Sequence, residues 1–268
     1  MKRRGCCWLA KPPAIMPAAD QIARRGRADQ ILVQLGHAES RERARQMIAE
    51  QAVRADGQII DKPARLIDAD SQIEITSQLA GWVSRAALKL QAGLDRFSQC
   101  DPAGKICLDL GASTGGFSQL LLRRGARRVY AVDVGSGQLH RDLQGLEALV
   151  SLEKTDARQL NAALIPEAPQ LITADLSFIS LQLALGPGLQ LAAPHCQLLV
   201  LVKPQFELGP SHIAKGGIVR DAVARQQAVT RTADWLAEQG WQQLGFIESP
   251  LAGRGGNLEY LLAAEKTG

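Results

Sequence analysis

The sequence predicts an α/β fold in its last two thirds, preceded by a small α+β unit. From residue 105 onward, short segments that are apolar along nearly their whole length alternate with helical segments. Strands of this kind are typical of a parallel sheet that helices cover on both faces. The chain has 268 residues, 46% of them hydrophobic and 22% charged, which is ordinary for a globular protein and excludes bulk disorder and collagen-like repeats.

The small N-terminal unit is predicted to hold two helices followed by three strands. Gly36 ends the first helix, and Ser40 is a suitable N-cap for the second. The sequence Ala-Asp-Gly at 55–57 predicts a turn between the first two strands. The predicted elements are helices at 27–35 and 41–52 and strands at 52–54, 58–60 and 71–75.

The larger unit is predicted to contain seven strands with helices between or after them. Its uncharged run at 176–202 is long enough to cross a membrane, but Gly186-Pro187-Gly188 would leave backbone groups in lipid without hydrogen-bond partners. We therefore expect a buried helix and a buried strand in this run, and no stable membrane insertion. The strands are expected at 105–110, 129–134, 151–156, 171–176, 197–203, 244–248 and 258–264, and helices at 117–124 and 219–239.

Changes in pattern divide the chain into four segments. The first residues lack periodicity, which is typical of a flexible tail. The segment SQLAGWVS precedes the change to alternating strands and helices, and it is predicted to link two domains. The segments are a tail at 1–24, the α+β domain at 25–76, the linker at 77–84 and the α/β domain at 85–268.

The number of cysteines and the distribution of charge limit the classes of protein to which the chain can belong. The five cysteines are odd in number and form no Cys-x-x-Cys motif, so neither a disulfide framework nor a structural metal site is expected, and the cytoplasm is the expected compartment. Residues 1–80 hold 13 basic and 10 acidic side chains, and thus +3 of the net charge of +4. Three arginines in the first turns of the second helix oppose its macrodipole, which favours an anionic partner at that face.

A glycine-rich loop joins the first strand of the α/β domain to a helix. In an open α/β sheet, ligands bind at the carboxyl ends of the strands, and Asp133 ends the next strand, where an acid can accept hydrogen bonds from ribose hydroxyls. Ser113 stands where a dinucleotide-binding loop prefers glycine, so the loop favours S-adenosylmethionine over a dinucleotide. A turn that binds no ligand is the simplest alternative. The predicted cofactor-binding residues are Asp109, Gly111, Ser113, Gly115, Gly116, Phe117, Asp133, Asp156 and Asp175.

Two lysines and two acids are expected near the same edge of the sheet. One lysine lies on a helix before the first strand, whereas the other three residues end the fourth strand, end the fifth strand and begin the last one. Ammonium and carboxylate groups in one cleft can keep one another charged, or lower the pKa of one lysine until it accepts a proton. Both outcomes would help a ribose hydroxyl to attack a methyl sulfonium that is held in line with it. The predicted catalytic residues are Lys89, Asp175, Lys203 and Glu259, and the predicted reaction is methyl transfer to a ribose oxygen.

Seven motifs carry a resemblance to a known family, and the resemblance covers about residues 27–264. They are VSRAALKL at 83–90, LDLGASTGGF at 108–117, VYAVDVG at 129–135, DLSFISL at 175–181, VKPQFE at 202–207, KGGIVRD at 215–221 and SPLAGRGGNLEY at 249–260. The chain resembles the TlyA family of ribosomal RNA methyltransferases, in which an S4 RNA-binding domain precedes an FtsJ-like domain. The resemblance implies a Rossmann-like class I methyltransferase sheet, S-adenosyl-L-methionine as cofactor, and 2′-O-methylation of cytidine in ribosomal RNA. It also implies that the four predicted catalytic residues correspond to the family's Lys-Asp-Lys-Glu set.

An S4-like unit would contact the phosphate backbone of folded RNA with its helical face. Such contacts position the RNA without reading its sequence. The predicted partner is ribosomal RNA or a ribosomal subunit, and the predicted RNA-binding residues are Arg27, Arg41, Arg45, Arg54, Arg65 and Arg85. A second basic group, at a helix end away from the strand tips, is expected to be solvated surface. It consists of Arg123, Arg124, Arg127 and Arg128.

Some departures from the family pattern and some alternative functions stay open. Alanines at 86 and 87 replace the usual glycines, Asp156 replaces a common asparagine, and Gly81 stands where the linker often has arginine. An amino-group methyltransferase would carry Asp-Pro-Pro-Tyr in place of Asp-Leu-Ser-Phe at 175–178, and a cytosine-carbon methyltransferase would need a thiolate that Cys196 is poorly placed to supply. The remaining alternatives are a membrane-active, hemolysin-like protein and an RNA-binding factor without catalytic activity.

Overall fold

The structure is a computed structural model that describes residues 25–49, 52–75, 81–214, 216–253 and 256–266. The chain divides into two compact units, Met1–Ala80 and Gly81–Gly268. The tail predicted at 1–24 and the first part of the predicted linker at 77–84 lie outside the described residues.

The N-terminal unit combines two helices with two small antiparallel sheets. Its elements are β1 (Arg25–Arg27), α1 (Ala28–Gln34), α2 (Arg41–Ala49), β2 (Val53–Ala55), β3 (Gln58–Ile59), β4 (Leu66–Asp68) and β5 (Ile73–Ile75). Strands β3, β2 and β5 form one sheet in that order, and β1 pairs with β4. Both helices cover a core that includes Ile31, Leu32, Ile48 and Val53.

Two local predictions for this unit are confirmed and one is corrected. The side chain of Ser40 accepts a hydrogen bond from the backbone N–H of Arg43 at 3.1 Å and so caps α2. Asp56 and Gly57 both have positive φ angles, 51° and 74°, as a tight hairpin turn requires. The prediction that Arg27 begins a helix is wrong, because Arg27 ends β1 and pairs with Leu66. Strands of three residues are too short to show periodicity, so the sequence pattern does not predict β1 and β4.

The larger unit contains a seven-stranded sheet with helices on both faces. Its strands are β6 (Ile106–Leu110), β7 (Arg128–Val132), β8 (Leu149–Leu152), β9 (Leu171–Ala174), β10 (Gln197–Val202), β11 (Trp241–Glu248) and β12 (Tyr260–Lys266). Its helices are α3 (Ala86–Arg96), α4 (Gly116–Arg123), α5 (Leu181–Ala184), α6 (Gly186–Gln190), α7 (Pro204–Glu207) and α8 (Ala222–Glu238). The strand order is β11-β12-β10-β9-β6-β7-β8, in which β12 is antiparallel to both of its neighbours and the other pairs are parallel.

The predicted α/β architecture is therefore confirmed, with shifts at some strand ends. The largest shift concerns the strand predicted at 151–156, which lies at Leu149–Leu152. Lys154 has a positive φ of 55°, which is incompatible with an extended strand, and the chain turns there. The strands β6 and β9 are buried along their whole length, because α3 and α4 pack on one face of the sheet and α5, α6 and α8 on the other.

The uncharged run at 176–202 contains the buried strand that its composition predicts, but two short, half-buried helices replace the expected single buried helix. Two short helices, α5 and α6, precede β10, and five of the six residues of β10 are fully buried. Within the described ranges, no helix is both long and apolar enough to cross a membrane.

Candidate active site

The first pair of predicted catalytic residues forms a buried ion pair. Lys89 projects from α3, and Glu259 directly precedes β12. The ammonium Nζ lies 2.6 Å from the carboxylate Oε2, and the two side chains are only 11% and 3% exposed. The chain returns past this carboxylate at Gly253, where any Cβ would collide with Oε1 of Glu259. The packing therefore leaves the carboxylate little freedom to turn away from Lys89.

The second pair, Lys203 and Asp175, lies at the carboxyl ends of two adjacent parallel strands. Asp175 follows β9 and Lys203 follows β10. The Nζ atom of Lys203 lies 2.6 Å from Oδ1 of Asp175 and donates a second hydrogen bond to Oγ of Ser177 at 2.9 Å. These side chains are 9% and 18% exposed, so they keep a small opening to solvent.

Strand register places the two ion pairs next to each other. Val202 pairs with Tyr260 across β10 and β12, so Lys203 and Glu259 occupy the next position at the same edge. A buried ion pair contributes little net stability, because desolvation of the two charges offsets their attraction. Two such pairs at the ligand-binding edge of a sheet therefore indicate a functional site more than a stabilising device.

The glycine-rich loop runs directly alongside Asp175. Gly111, which follows β6, has a φ of 78°, and a Cβ there would lie 2.6 Å from the backbone oxygen of Asp175. Gly115, the N-cap of α4, has a φ of 92°, and a Cβ there would collide with the side chain of Leu143. The loop needs glycine at both positions to bring its backbone next to the second ion pair.

Two of the predicted cofactor-binding residues lie beneath the loop instead of facing the cleft. Asp109 is fully buried, and its carboxylate accepts hydrogen bonds from Ser118 Oγ at 2.6 Å and Thr173 Oγ1 at 3.0 Å. Burial raises the pKa of Asp109 to about 7, although these two hydrogen bonds act in the opposite direction. Phe117 is 2% exposed and packs in the core between the sheet and α3. Their side chains support the loop from below and have almost no surface for a cofactor.

Asp133 lies at the end of β7, beside the loop. Its Oδ2 accepts a hydrogen bond from the backbone N–H of Ser113 at 2.8 Å, and its Oδ1 accepts one from Gly135 at 2.7 Å. The hydroxyl of Ser113 donates to Oε1 of Gln138 at 3.0 Å. The acid and the loop therefore form one connected rim at this edge of the sheet.

Sequence reasoning missed the residue that orders the far side of this rim. The carboxylate of Glu153 accepts hydrogen bonds from the backbone N–H groups of Gly137, Gln138 and Leu139, which lower its pKa. It thereby holds in place the segment that brings Gln138 to Ser113. No motif marks Glu153, because its partners are backbone groups whose position depends on the folded loop.

Asp156 follows β8, the next strand along the same edge. Its carboxylate caps a short 3-10 helix at Ala157–Gln159. It also forms a salt bridge with Arg158, in which Nη2 lies 2.6 Å from Oδ2. Hydrogen bonds from the side chain and the backbone of Arg158 lower its pKa. The structure therefore holds an ionised acid at the position where the sequence predicts a cofactor contact.

The predicted RNA-binding arginines fall into separate groups. Arg27, Arg41 and Arg45 all bind the carboxylate of Asp29. Arg54 instead donates to the backbone oxygen of Gly57. Arg65 donates to Gln58 and Ile59, and Arg85 is the N-cap residue of α3 in the larger unit.

The second basic group is exposed as predicted, but its members are paired. Arg123 stacks on the ring of Trp82, with its guanidinium carbon 4.4 Å from the ring centre, and donates to the backbone oxygen of Gly81. Arg124 pairs with Asp95, and both Arg127 and Arg128 pair with Glu167. The prediction of solvated surface is therefore confirmed, and each of these arginines also has a partner on that surface. In the described part of the chain, no cluster of three or more His, Cys, Asp or Glu residues is arranged to hold a metal ion.

Comparison with known proteins identifies both units. A family profile for the FtsJ-like methyltransferase matches residues 82–266, and one for the S4 domain matches residues 26–73. The chain is 43% identical over 242 residues to the 16S/23S rRNA (cytidine-2′-O)-methyltransferase TlyA of Mycobacterium tuberculosis, a match that covers 90% of each protein. It is 38% identical over 241 residues to YqxC of Bacillus subtilis, a presumed rRNA methyltransferase, covering 90% of this chain and 85% of the relative.

A solved structure extends these matches to the fold. It belongs to a presumed hemolysin from Streptococcus thermophilus, and it superposes with a TM-score of 0.72 at 34% sequence identity, over 91% of this chain and 89% of that one. The similarity in sequence and in fold thus spans both units, and the chain belongs to the TlyA family, in which an S4 domain precedes an FtsJ-like methyltransferase domain.

Proposed function

We propose that this protein transfers a methyl group from S-adenosylmethionine to the 2′-hydroxyl of a cytidine in ribosomal RNA. The observation that carries the proposal is the pair of buried Lys–carboxylate contacts, Lys89–Glu259 and Lys203–Asp175, next to a glycine loop at the ligand-binding edge of the sheet. The relative from Mycobacterium tuberculosis, which acts on the cytidine 2′-oxygen of 16S and 23S rRNA, supports the choice of substrate.

The loop and its rim suit an adenosyl cofactor. Gly111 lies so close to Asp175 that residue 111 has no room for a side chain. The bare backbone of the loop can then pass beneath the amino-acid part of S-adenosylmethionine. Asp133 retains lone pairs on both carboxylate oxygens for ribose hydroxyls, and Asp156 occupies the position expected to meet the base. S-adenosylmethionine, when bound, supplies an electrophilic methyl group on a sulfonium.

The ion pairs would act on the attacking oxygen. A ribose hydroxyl is a weak nucleophile. As its oxygen bonds to the methyl carbon, the bond between that carbon and the sulfonium sulfur breaks, a neutral thioether leaves, and the hydroxyl loses its proton. The Lys203 ammonium, held by Asp175 and Ser177, would stabilise the negative charge that develops on that oxygen in a site with little water. Lys89 and Glu259 would fix the ribose from the neighbouring position. A carboxylate of the site can accept the departing proton.

The N-terminal unit would deliver the RNA. It matches the S4 domain and carries exposed arginines on α2. Contacts between arginine and phosphate depend on the charge of the RNA and not on its sequence. Selection of the target cytidine therefore falls to the larger unit and to the shape of the RNA.

The product of the reaction tests this proposal. Purified protein is incubated with S-adenosylmethionine and ribosomal RNA, either free or within subunits, and the RNA is then cleaved with alkali. A 2′-O-methyl group removes the internal nucleophile, so the methylated position is expected to resist cleavage. A methylated position that remains cleavable would contradict the proposal and indicate an amino-group or carbon methyltransferase. Wild-type protein that transfers no methyl to any of these substrates would also count against it.

A further inference from the structure

One carboxylate in the N-terminal unit binds three arginines. Asp29 lies in the first turn of α1 and is fully buried. Its Oδ1 accepts a hydrogen bond from Arg27 Nε at 3.0 Å, and its Oδ2 accepts bonds from Arg27 Nη2 at 3.2 Å, Arg41 Nη2 at 3.2 Å and Arg45 Nε at 3.0 Å. We call Arg27, Arg41 and Arg45 the arginine triad.

The fold brings the triad together from two elements. Arg41 and Arg45 are four residues apart on α2 and therefore lie on the same face of that helix. Arg27 ends β1 directly before α1, and α1 packs against α2 through the core of the unit. Asp29 is the point at which these elements meet, so the relative positions of the three guanidinium groups depend on it.

The triad holds more arginines than are needed to neutralise the charge of Asp29. Burial alone raises the pKa of Asp29, but the hydrogen bonds from the triad outweigh this effect and hold its pKa well below the usual range. The carboxylate is thus ionised at neutral pH, and the cluster carries one negative and three positive charges. A single paired arginine would neutralise Asp29. The two further arginines add mutual repulsion, and those on α2 also oppose its macrodipole.

The triad keeps surface and donors for a ligand. The side chains of Arg27, Arg41 and Arg45 are 40%, 48% and 53% exposed, whereas Asp29 has no exposed surface. A guanidinium has more N–H groups than the contacts with Asp29 use, and its planar fork matches the oxygens of a phosphate group. By contrast, Arg54 binds a backbone oxygen at the hairpin turn and belongs to another part of the unit.

We propose that Asp29 is a positioning residue that assembles Arg27, Arg41 and Arg45 into one preorganised site for the phosphate backbone of RNA. This inference rests on the proposed function, since the S4 match is what makes RNA the expected anion. Preorganisation lowers the entropy cost of ordering three long side chains when the RNA binds. Asp29 would therefore strengthen the binding of a polyanion although it is itself an anion.

The variant D29N distinguishes a positioning role of Asp29 from arginines that act independently, because the two explanations predict different changes in affinity for RNA. Affinity for a ribosomal RNA fragment is measured by fluorescence anisotropy with the full chain at fixed salt. If Asp29 positions the triad, D29N weakens binding by about tenfold, although the variant loses a negative charge that would repel the RNA. If the arginines act independently, the lost negative charge leaves affinity unchanged or raises it. Asp68, an exposed acid 3.8 Å from Arg25, supplies the control D68N, which is expected to bind RNA no more weakly than wild type.

Methylation kinetics separate this inference from the proposed function. In D29N, the KM for RNA is expected to rise about tenfold, with kcat and the affinity for S-adenosylmethionine unchanged. A wild-type protein that produced no 2′-O-methyl group would overturn the proposed function whatever its RNA affinity. A folded D29N variant that binds RNA as tightly as wild type would overturn the role of Asp29 alone.

A second set of variants applies if D29N fails to fold. R27K keeps the charge but loses the two-pronged contact with Asp29, so we expect it to weaken RNA binding by about fivefold. R41A and R45A are then compared singly and together. A shared site predicts that the double variant loses less than the product of the two single losses. Unchanged binding in R27K, together with independent effects of R41A and R45A, would overturn the inference.

Discussion

Gly111 lies against the backbone of Asp175, so closely that a Cβ at position 111 would be 2.6 Å from the carbonyl oxygen of residue 175. Residue 175 also supplies the carboxylate that binds Lys203. The glycine-rich loop and the ion pair are therefore in direct backbone contact. A change in the loop at this point is expected to reach the reaction site directly.

The first prediction concerns that contact. We expect Gly111→Ala to weaken the binding of S-adenosylmethionine by at least about tenfold, because the added methyl group must displace the loop or Asp175. Isothermal titration calorimetry measures the effect. Gly104 is the matched control, because its φ of 72° is also positive but no atom lies within 4 Å of its added Cβ. Equal losses in Gly111→Ala and Gly104→Ala would show that backbone strain, and not the contact with Asp175, causes the effect.

The second prediction concerns Lys203. We expect Lys203→Ala to lower kcat by about 10²-fold to 10³-fold, the range typical of a lost group that stabilises transition-state charge. Its affinity for RNA should change little, since most contacts with the phosphate backbone are expected from the S4 unit. Lys105→Ala removes the same charge just before β6, at the opposite edge of the sheet, and should keep nearly full activity. Turnover by Lys203→Ala at the wild-type rate would show that this lysine is incidental.

The third prediction separates stability from activity at Lys89 and Glu259. Removal of one partner of a buried ion pair leaves an uncompensated charge and typically costs about 3–5 kcal/mol in the free energy of unfolding. We therefore expect Lys89→Met and Glu259→Gln to be strongly destabilised, and the double variant to be less destabilised than the sum of the two. All three should lose methyl transfer.

Chemical denaturation of the four proteins gives the coupling energy of this pair. The exposed pair Arg124–Asp95, with side chains 40% and 52% exposed, provides the comparison, and its coupling should stay below about 1 kcal/mol. A double variant of Lys89 and Glu259 that regained activity together with stability would contradict a role of the pair in the reaction.

The fourth prediction is a pH dependence that arises from Asp109. Its pKa is about 7 in the folded protein against an ordinary value of 3.8, so the folded state holds this proton over a range in which the unfolded state has released it. The contribution of Asp109 to stability is thus most favourable below about pH 4 and declines as the pH rises toward 7. Asp109→Asn has no proton to lose at this position. The melting temperature of wild type minus that of Asp109→Asn should therefore fall from about pH 5 to about pH 8. A constant difference would show that Asp109 does not change its protonation state in this range.

Much of the larger unit could be predicted, because its signals are local in sequence. The strands β6, β9 and β10 are apolar runs that are buried on both faces, and polar residues such as Asp175 and Lys203 stand where these strands end. Parallel strands bring their carboxyl ends to one edge, so topology alone places these residues together. The glycines of the loop are visible as a motif.

The partnerships within the site could not be predicted in the same way. Lys89 and Glu259 are 170 residues apart, and they meet because α3 packs on the face of the sheet that includes β12. Asp29 has the sequence context of an ordinary acid in a first helical turn, yet it is fully buried under three arginines. Its burial depends on the packing of β1, α1 and α2, and β1 is too short to leave a pattern.

The identity of the methylated nucleoside shows directly which atom receives the methyl group and whether Lys203 takes part. Ribosomal RNA is treated with S-adenosylmethionine and either wild-type protein or Lys203→Ala, digested to nucleosides, and examined by liquid chromatography with mass spectrometry. We expect 2′-O-methylcytidine from the wild-type reaction and almost none from the variant. Cytidine methylated on its base, or equal amounts of 2′-O-methylcytidine from both proteins, would contradict it.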